Sequence, residues 1–145
     1  MTRLFIILLS VILVSCTSIA EDSAPLDNEE ISFYIEKLPD RDFVDVYGDD
    51  ENPKTWYTAA EELGQMGADA IPALVQRLHT EDEYELMLVV YALMLASQDA
   101  RVMDATQDDY LLLDVVLTPD TNPQNRQRAL DWCQRYSRVC APSAH

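Results

Sequence analysis

The chain is predicted to be all-α. Three observations carry this: apolar residues recur at i, i+3, i+4 and i+7; segment 86–96 is apolar throughout; and only three glycines occur in 145 residues. The first spacing is one face of a helix. A segment apolar on every side is buried on every side, so 86–96 is the expected centre of the domain. Few glycines argue against a fold built on tight hairpin turns. The length suits one domain of ordinary size.

The elements follow in order. Asp27 with Glu30 forms a capping-box pattern, and Ile31, Tyr34, Ile35 and Leu38 mark a first helix that Pro39 stops. Residues 40–52 read as an acidic connection whose Phe43, Val44, Val46 and Tyr47 dock on the core. Asn52-Pro53 supplies an N-cap residue and a Pro at the first helical position, so a second helix is expected there. Trp56, Ala60, Leu63 and Gly67 mark its face, and Ala59, Ala60 and Gly64 let another helix approach closely.

Asp69 is the expected cap of a third helix, with Pro72 tolerated in its first turn and Ile71, Leu74, Val75 and Leu78 inward. Thr80-Glu81-Asp82-Glu83 reads as a capping box that opens the central helix. A short helix is expected over 100–105. Another is expected over 107–117, with Tyr110, Leu113, Val116 and Leu117 inward and Pro119 at its end. Asn122-Pro123 starts the last helix, whose inner face carries Ala129, Trp132, Cys133 and Tyr136.

The N-terminus reads as an address. Arg3 precedes an apolar run over 4–14 that only Ser10 interrupts. That is too short to span a bilayer, which takes roughly 18 or more apolar residues, and it fits the apolar region of a secretory signal. It ends in Leu13-Val14-Ser15-Cys16, which resembles the lipobox of bacterial lipoproteins. The resemblance implies cleavage before Cys16 and lipid on its sulfur and new N-terminus. A thiolate is the side-chain nucleophile suited to that transfer. An ordinary signal peptide cut at another small residue, such as Ala20, is the alternative. Thr17 rather than Asp after the Cys implies, by the same resemblance, the periplasmic face of an outer membrane. The organisation is then a signal peptide over 1–15, a lipidated flexible tether over 16–27, and a helical domain over 28–145.

Residues 59–95 resemble a short HEAT-like repeat of the PBS-lyase type. The matching positions are Ala60, Leu63-Gly64, Gly67, Ala70, Pro72, Leu74, Leu78 and Asp82. The resemblance implies a helix–turn–helix unit; it does not imply lyase activity. About three such units are needed to bury one another's faces, and the next one departs from the pattern at Leu95-Ala96-Ser97-Gln98. Two architectures fit: a short HEAT-like stack with atypical ends, or a compact bundle of six or seven helices.

Chemistry-bearing residues are few. With Cys16 lipidated, Cys133 and Cys140 remain, an even pair in an oxidising compartment. Along one helix seven residues span about 10.5 Å, while a disulfide needs Cα atoms about 4.4–6.8 Å apart. The bond therefore requires the helix to end near 135–137; a free buried Cys133 with an exposed Cys140 is the alternative. His79 suits a helix C-terminus, and His145 is the last residue. The acids Asp40, Asp42, Asp45, Asp49, Asp50 and Glu51 lack EF-hand spacing and read as a solvated face before they read as a calcium site. Glu61/Glu62 and Asp108/Asp109 diverge on helices. No catalytic, cofactor-binding or metal-ligating residue is assigned.

The net charge of −16 argues against nucleic-acid binding, which needs basic surface. Charge is uneven: segment 17–53 holds twelve acids and two bases, while 121–145 holds four Arg and one Asp. Trp56, Asp49, Asp50 and Glu51 are candidate partner-binding residues. Arg126 and Arg128 are candidates for a basic counter-patch, or equally for ion pairs inside the domain. The expected function is a non-enzymatic, membrane-anchored, protein-binding adaptor or accessory subunit of an envelope assembly. The alternative is an acidic inhibitor or immunity protein that neutralises a basic toxin or hydrolase.

Overall fold

The computed structural model describes residues 28–114 and 118–142. The expectations for the signal segment, Cys16, the tether, Asp27, Val116, Leu117 and His145 fall outside them. The described residues form seven helices: α1 (Asn28–Lys37), α2 (Thr58–Met66), α3 (Ile71–Arg77), α4 (Glu83–Ala96), α5 (Ala100–Thr106), α6 (Asn122–Arg135) and α7 (Ser137–Cys140). A two-stranded antiparallel hairpin, β1 (Asp45–Tyr47) and β2 (Lys54–Trp56), sits between α1 and α2.

The apolar run over 86–96 makes α4 the centre. It packs on α2, α3 and α6, while α1 covers α2 and α3, and α7 rests on α3 and α6. Leu86, Val89, Val90 and Leu93 are essentially inaccessible, as are Leu38, Leu63, Ile71, Leu74 and Leu78, which face them from the other helices. Leu38, Leu63, Ile71, Leu74 and Leu78 are among the predicted inward positions of the first three helices; Tyr34, Ile35 and Val75 are half-buried. Burial of each such side chain stabilises the fold by roughly 1.5–3 kcal/mol before the entropy of ordering it is subtracted.

Gly67 ends α2 with φ +60°, and a Cβ there would meet the Asp99 carboxylate. Only glycine fits that position without strain. Buried Glu85 accepts hydrogen bonds from Arg77, with Nε at 2.7 Å, and from Thr80 Oγ1 at 2.5 Å. This satisfies a carboxylate that would otherwise be costly to bury. At the C-terminus α6 stops at Arg135, the chain folds back, and Cys133 and Cys140 are joined with Cα atoms 5.5 Å apart.

Six local expectations are corrected. Asn52-Pro53 does not start a helix. These residues finish the hairpin turn, β2 follows, and α2 begins only at Thr58, so Trp56 lies on a strand. Val46, Tyr47, Thr55 and Trp56 are strand-favouring residue types, but two three-residue strands are too short to show alternation. Of the residues expected to dock, Phe43 packs against the core while Val46 and Tyr47 stay exposed.

Asp69 does not cap α3. The 3-10 turn Gly67–Asp69 runs into that helix, and the Asp69 carboxylate pairs instead with Arg101 at 3.0 Å. The cap of α4 is Asp82, not Thr80. Its carboxylate accepts from the backbone N–H of Tyr84 at 2.9 Å and of Glu85 at 3.1 Å.

The helix expected over 107–117 is absent from residues 107–114. Gln107 and Asp108 turn the chain with φ +57° and +64°. Leu111 and Leu113 are then buried and Leu112 exposed, an alternation of extended backbone. Side chains take the backbone groups a helix would use: Trp132 Nε1 donates to the Asp109 carbonyl, and Leu111 N donates to Ser97 Oγ. Asn122, expected as an N-cap, is a buried residue of α6 whose amide donates to the Glu83 carbonyl and carboxylate at 2.7 Å.

Candidate functional site

The β1–β2 hairpin gathers four of the predicted partner-binding residues on one element. Its register pairs Asp45 with Trp56, Val46 with Thr55, and Tyr47 with Lys54. Side chains alternate across a strand, so Tyr47 and Trp56 share one face as diagonal neighbours. Their rings meet edge to face with centroids 6.0 Å apart. Asp49, Asp50 and Glu51 form the turn, all exposed. The Asp49 carboxylate accepts the Asn52 N–H at 2.8 Å, which fixes the turn's shape. Lys54 Nζ lies 5.9 Å from the Tyr47 ring centroid, the hairpin's own cation over its own aromatic face.

The base of the hairpin is tied to the helices. Thr58 Oγ1, at the start of α2, donates to Asp45 at 3.4 Å. Beside it Tyr57 meets the rings of Tyr84 and Tyr91 on α4. The Tyr91 hydroxyl donates to Glu61 of α2 at 2.5 Å. Burial, the hydrogen bond to Glu61 and that carboxylate's charge push the Tyr91 phenol well above its ordinary value, so it stays a donor. Arg41 lies over the Tyr84 ring at 4.9 Å and bonds Asp82 at 3.2 Å. The exposed turn thus stands on an ordered aromatic base.

Three of the five exposed large hydrophobic side chains among the described residues lie here, the others being Phe33 and Leu112. Val46 is 70% exposed, Tyr47 51% and Trp56 38%. Charged residues crowd the same element, with Asp45, Asp49, Asp50 and Glu51 against Lys54 alone. Such a surface can make both apolar and charged contacts. Among the described residues no group of three or more His, Cys, Asp and Glu side chains is arranged to hold a metal ion.

The arginines are not part of this site. Arg126 is half-buried on α6, where it donates to the Thr80 carbonyl at 2.9 Å. Arg128 pairs with Asp114 at 3.3 Å, and Arg135 with Asp109 at 3.4 Å. Of the two roles the sequence left open for Arg126 and Arg128, the structure shows contacts inside the domain. The concavity of about 210 Å³ between residues 109–112 and α6 is lined by Arg128 and Arg135, whose charges those aspartates balance. The 330 Å³ concavity between α5 and α7 contains Arg101, held by Asp69 and Asp99.

Sequence reasoning missed Val46, Tyr47 and Lys54 as members of the site. The available signal was the pair of strand-favouring segments, 44–47 and 55–57, on either side of Gly48 and Asn52-Pro53. Tested against protein-family models, curated proteins and solved structures, the chain matches none of them.

Proposed function

We propose that the protein is a non-enzymatic envelope lipoprotein, held to a membrane by lipid on Cys16, that serves as a protein-binding adaptor or accessory subunit of an envelope assembly. The observation that carries this reading is the hairpin, which presents Val46, Tyr47 and Trp56 to solvent. Aromatic side chains give large contact area at low entropic cost and are enriched where proteins meet. α2 and α3 both pack on α4, and the HEAT-like unit that residues 59–95 resemble is a type used for binding rather than catalysis. The LVSC segment supports the anchor, and Thr17 supports an outer-membrane address.

A second reading is favoured by the acidic turn, Asp49, Asp50 and Glu51. It is an inhibitor or immunity protein that docks electrostatically on a basic toxin or hydrolase. One experiment separates the two. The full chain, expressed in its source organism and purified in mild detergent, is used to recover partners from envelope extract at low and high salt. The variant Y47A/W56A is run beside it. A stoichiometric assembly component kept at high salt and lost from the variant supports the adaptor. A basic toxin or hydrolase released at high salt supports the inhibitor. Recovery of the same proteins by wild type and variant overturns the hairpin as the contact.

A further inference from the structure

The hairpin has the chemistry to receive positive charge. Its turn carries three exposed carboxylates, and the strands leading out of it carry the Tyr47 and Trp56 rings, whose faces attract cations. Tyr47 already carries one, since Lys54 Nζ stands over it at 5.9 Å. Among the described residues no cation stands over Trp56, although Phe43, Tyr84 and Tyr136 each hold one. An acidic partner would meet like charge at the turn, and a purely apolar one would have to desolvate the carboxylates.

We propose that this hairpin face docks a cationic segment of a partner protein, with Lys or Arg side chains on the Trp56 and Tyr47 rings and Asp49, Asp50 and Glu51 flanking them. Lys54 is the internal stand-in that the arriving segment displaces from Tyr47. The inference rests on the hairpin as the protein contact, and it holds for an adaptor as well as for an inhibitor. Carboxylates on an exposed turn are screened beyond about 8 Å at physiological ionic strength. The turn therefore steers the cationic segment, and the rings hold it.

The test uses the full chain in neutral detergent and a fluorescein-labelled peptide that alternates Arg with Gly. The same peptide with Gln for Arg is the control. Trp132 is buried, so a change in tryptophan emission on binding reports Trp56, the other of the chain's two tryptophans. The Arg peptide is expected to bind about tenfold or more tighter than the Gln peptide. D49N/D50N/E51Q should weaken it about tenfold, and Y47A/W56A should abolish the emission change and the binding. K54M should tighten binding about threefold, because the competing cation is gone. E36Q/E81Q/D104N makes the same change in net charge at exposed positions outside the hairpin and should shift affinity less than about twofold.

Equal weakening by the two charge variants would overturn the inference in favour of general acidity. So would unchanged binding in Y47A/W56A, or in K54M, whose exposed side chain places no demand on folding. A concentration-dependent rise in mass that Y47A/W56A removes would make a second copy of the chain the occupant. If the Arg peptide fails to bind while the envelope partner is still lost from Y47A/W56A, the cationic segment is wrong and the protein contact stands. If the partner too is recovered unchanged, both fall.

Discussion

Leu95 of α4 lies so close to Gly64 of α2 that a Cβ at position 64 would stand 2.5 Å from the Leu95 Cβ. The contact is between atoms attached to two backbones, so neither side chain can swing clear. It sits in the α2–α4 interface at the middle of the fold.

G64A is therefore expected to force the two helices apart and to destabilise the protein by about 1–3 kcal/mol. L95A keeps the offending Cβ, so G64A/L95A should remain destabilised relative to L95A. Urea unfolding followed by circular dichroism reads this. A G64A midpoint equal to that of wild type would show that the interface can relax freely.

The Cys133–Cys140 bond closes a short loop that holds α7 against α6, where it also packs on α3. By the entropy of a loop this size, reduction should cost about 2–3 kcal/mol. The unfolding midpoint should fall with a dithiol reductant in the wild type and not respond in C133S/C140S. A reductant-insensitive wild type would mean that the bond contributes nothing to stability.

Asp82 links the cap of α4 to the pH response. The N–H of Glu85, then that of Tyr84, and the Arg41 guanidinium hold its carboxyl below the usual carboxylate value, against the opposing effect of burial. A carboxyl whose folded value is lowered contributes stability that is complete above its unfolded value of about 3.9 and is lost as pH falls through the folded one. D82A should cost about 1 kcal/mol at neutral pH. Asn caps as well as Asp, so D82N should cost less and should flatten the loss of stability below about pH 4. Equal acid sensitivity in wild type and D82N would remove Asp82 as a source of that loss.

Cys16 decides where the protein resides under the proposed function. C16A should abolish metabolic labelling with a fatty-acid probe and release the protein from the membrane fraction. Membrane association and labelling that persist in C16A would sink the lipid anchor while leaving the fold untouched.

Much of the core was legible without coordinates. Leu63, Ile71, Leu74 and Leu78 repeat at helical spacing, and the run over 86–96 has no polar side to turn outward, so their burial follows from periodicity alone. The fold-back at the end of α6 was legible as a condition, because Cys133 and Cys140 can bond only if the helix stops between them. Capping was read less well: Thr80 matches the capping-box pattern, yet α4 begins at Glu83 and Asp82 caps it, while Thr80 Oγ1 donates to Glu85 and accepts the Asp82 N–H. Asn52-Pro53 and Asn122-Pro123 look alike in sequence, yet the first ends a turn and the second opens a helix.

Local periodicity and composition were sufficient for the helical class, the central helix and the residues that face it. These depend on interactions within a few turns of chain, and on the plain cost of leaving apolar surface in water. The extended path over 107–114 and the partners of the arginines depended on contacts between distant segments. Trp132 reaches back to the Asp109 carbonyl, Ser97 takes the Leu111 N–H, and Arg101 draws Asp69 away from a capping role. Such groups satisfy one another only when the chain is compact, so their pairing has no trace in spacing. Tyr47 and Trp56, nine residues apart in sequence, meet edge to face only once the hairpin between them has closed.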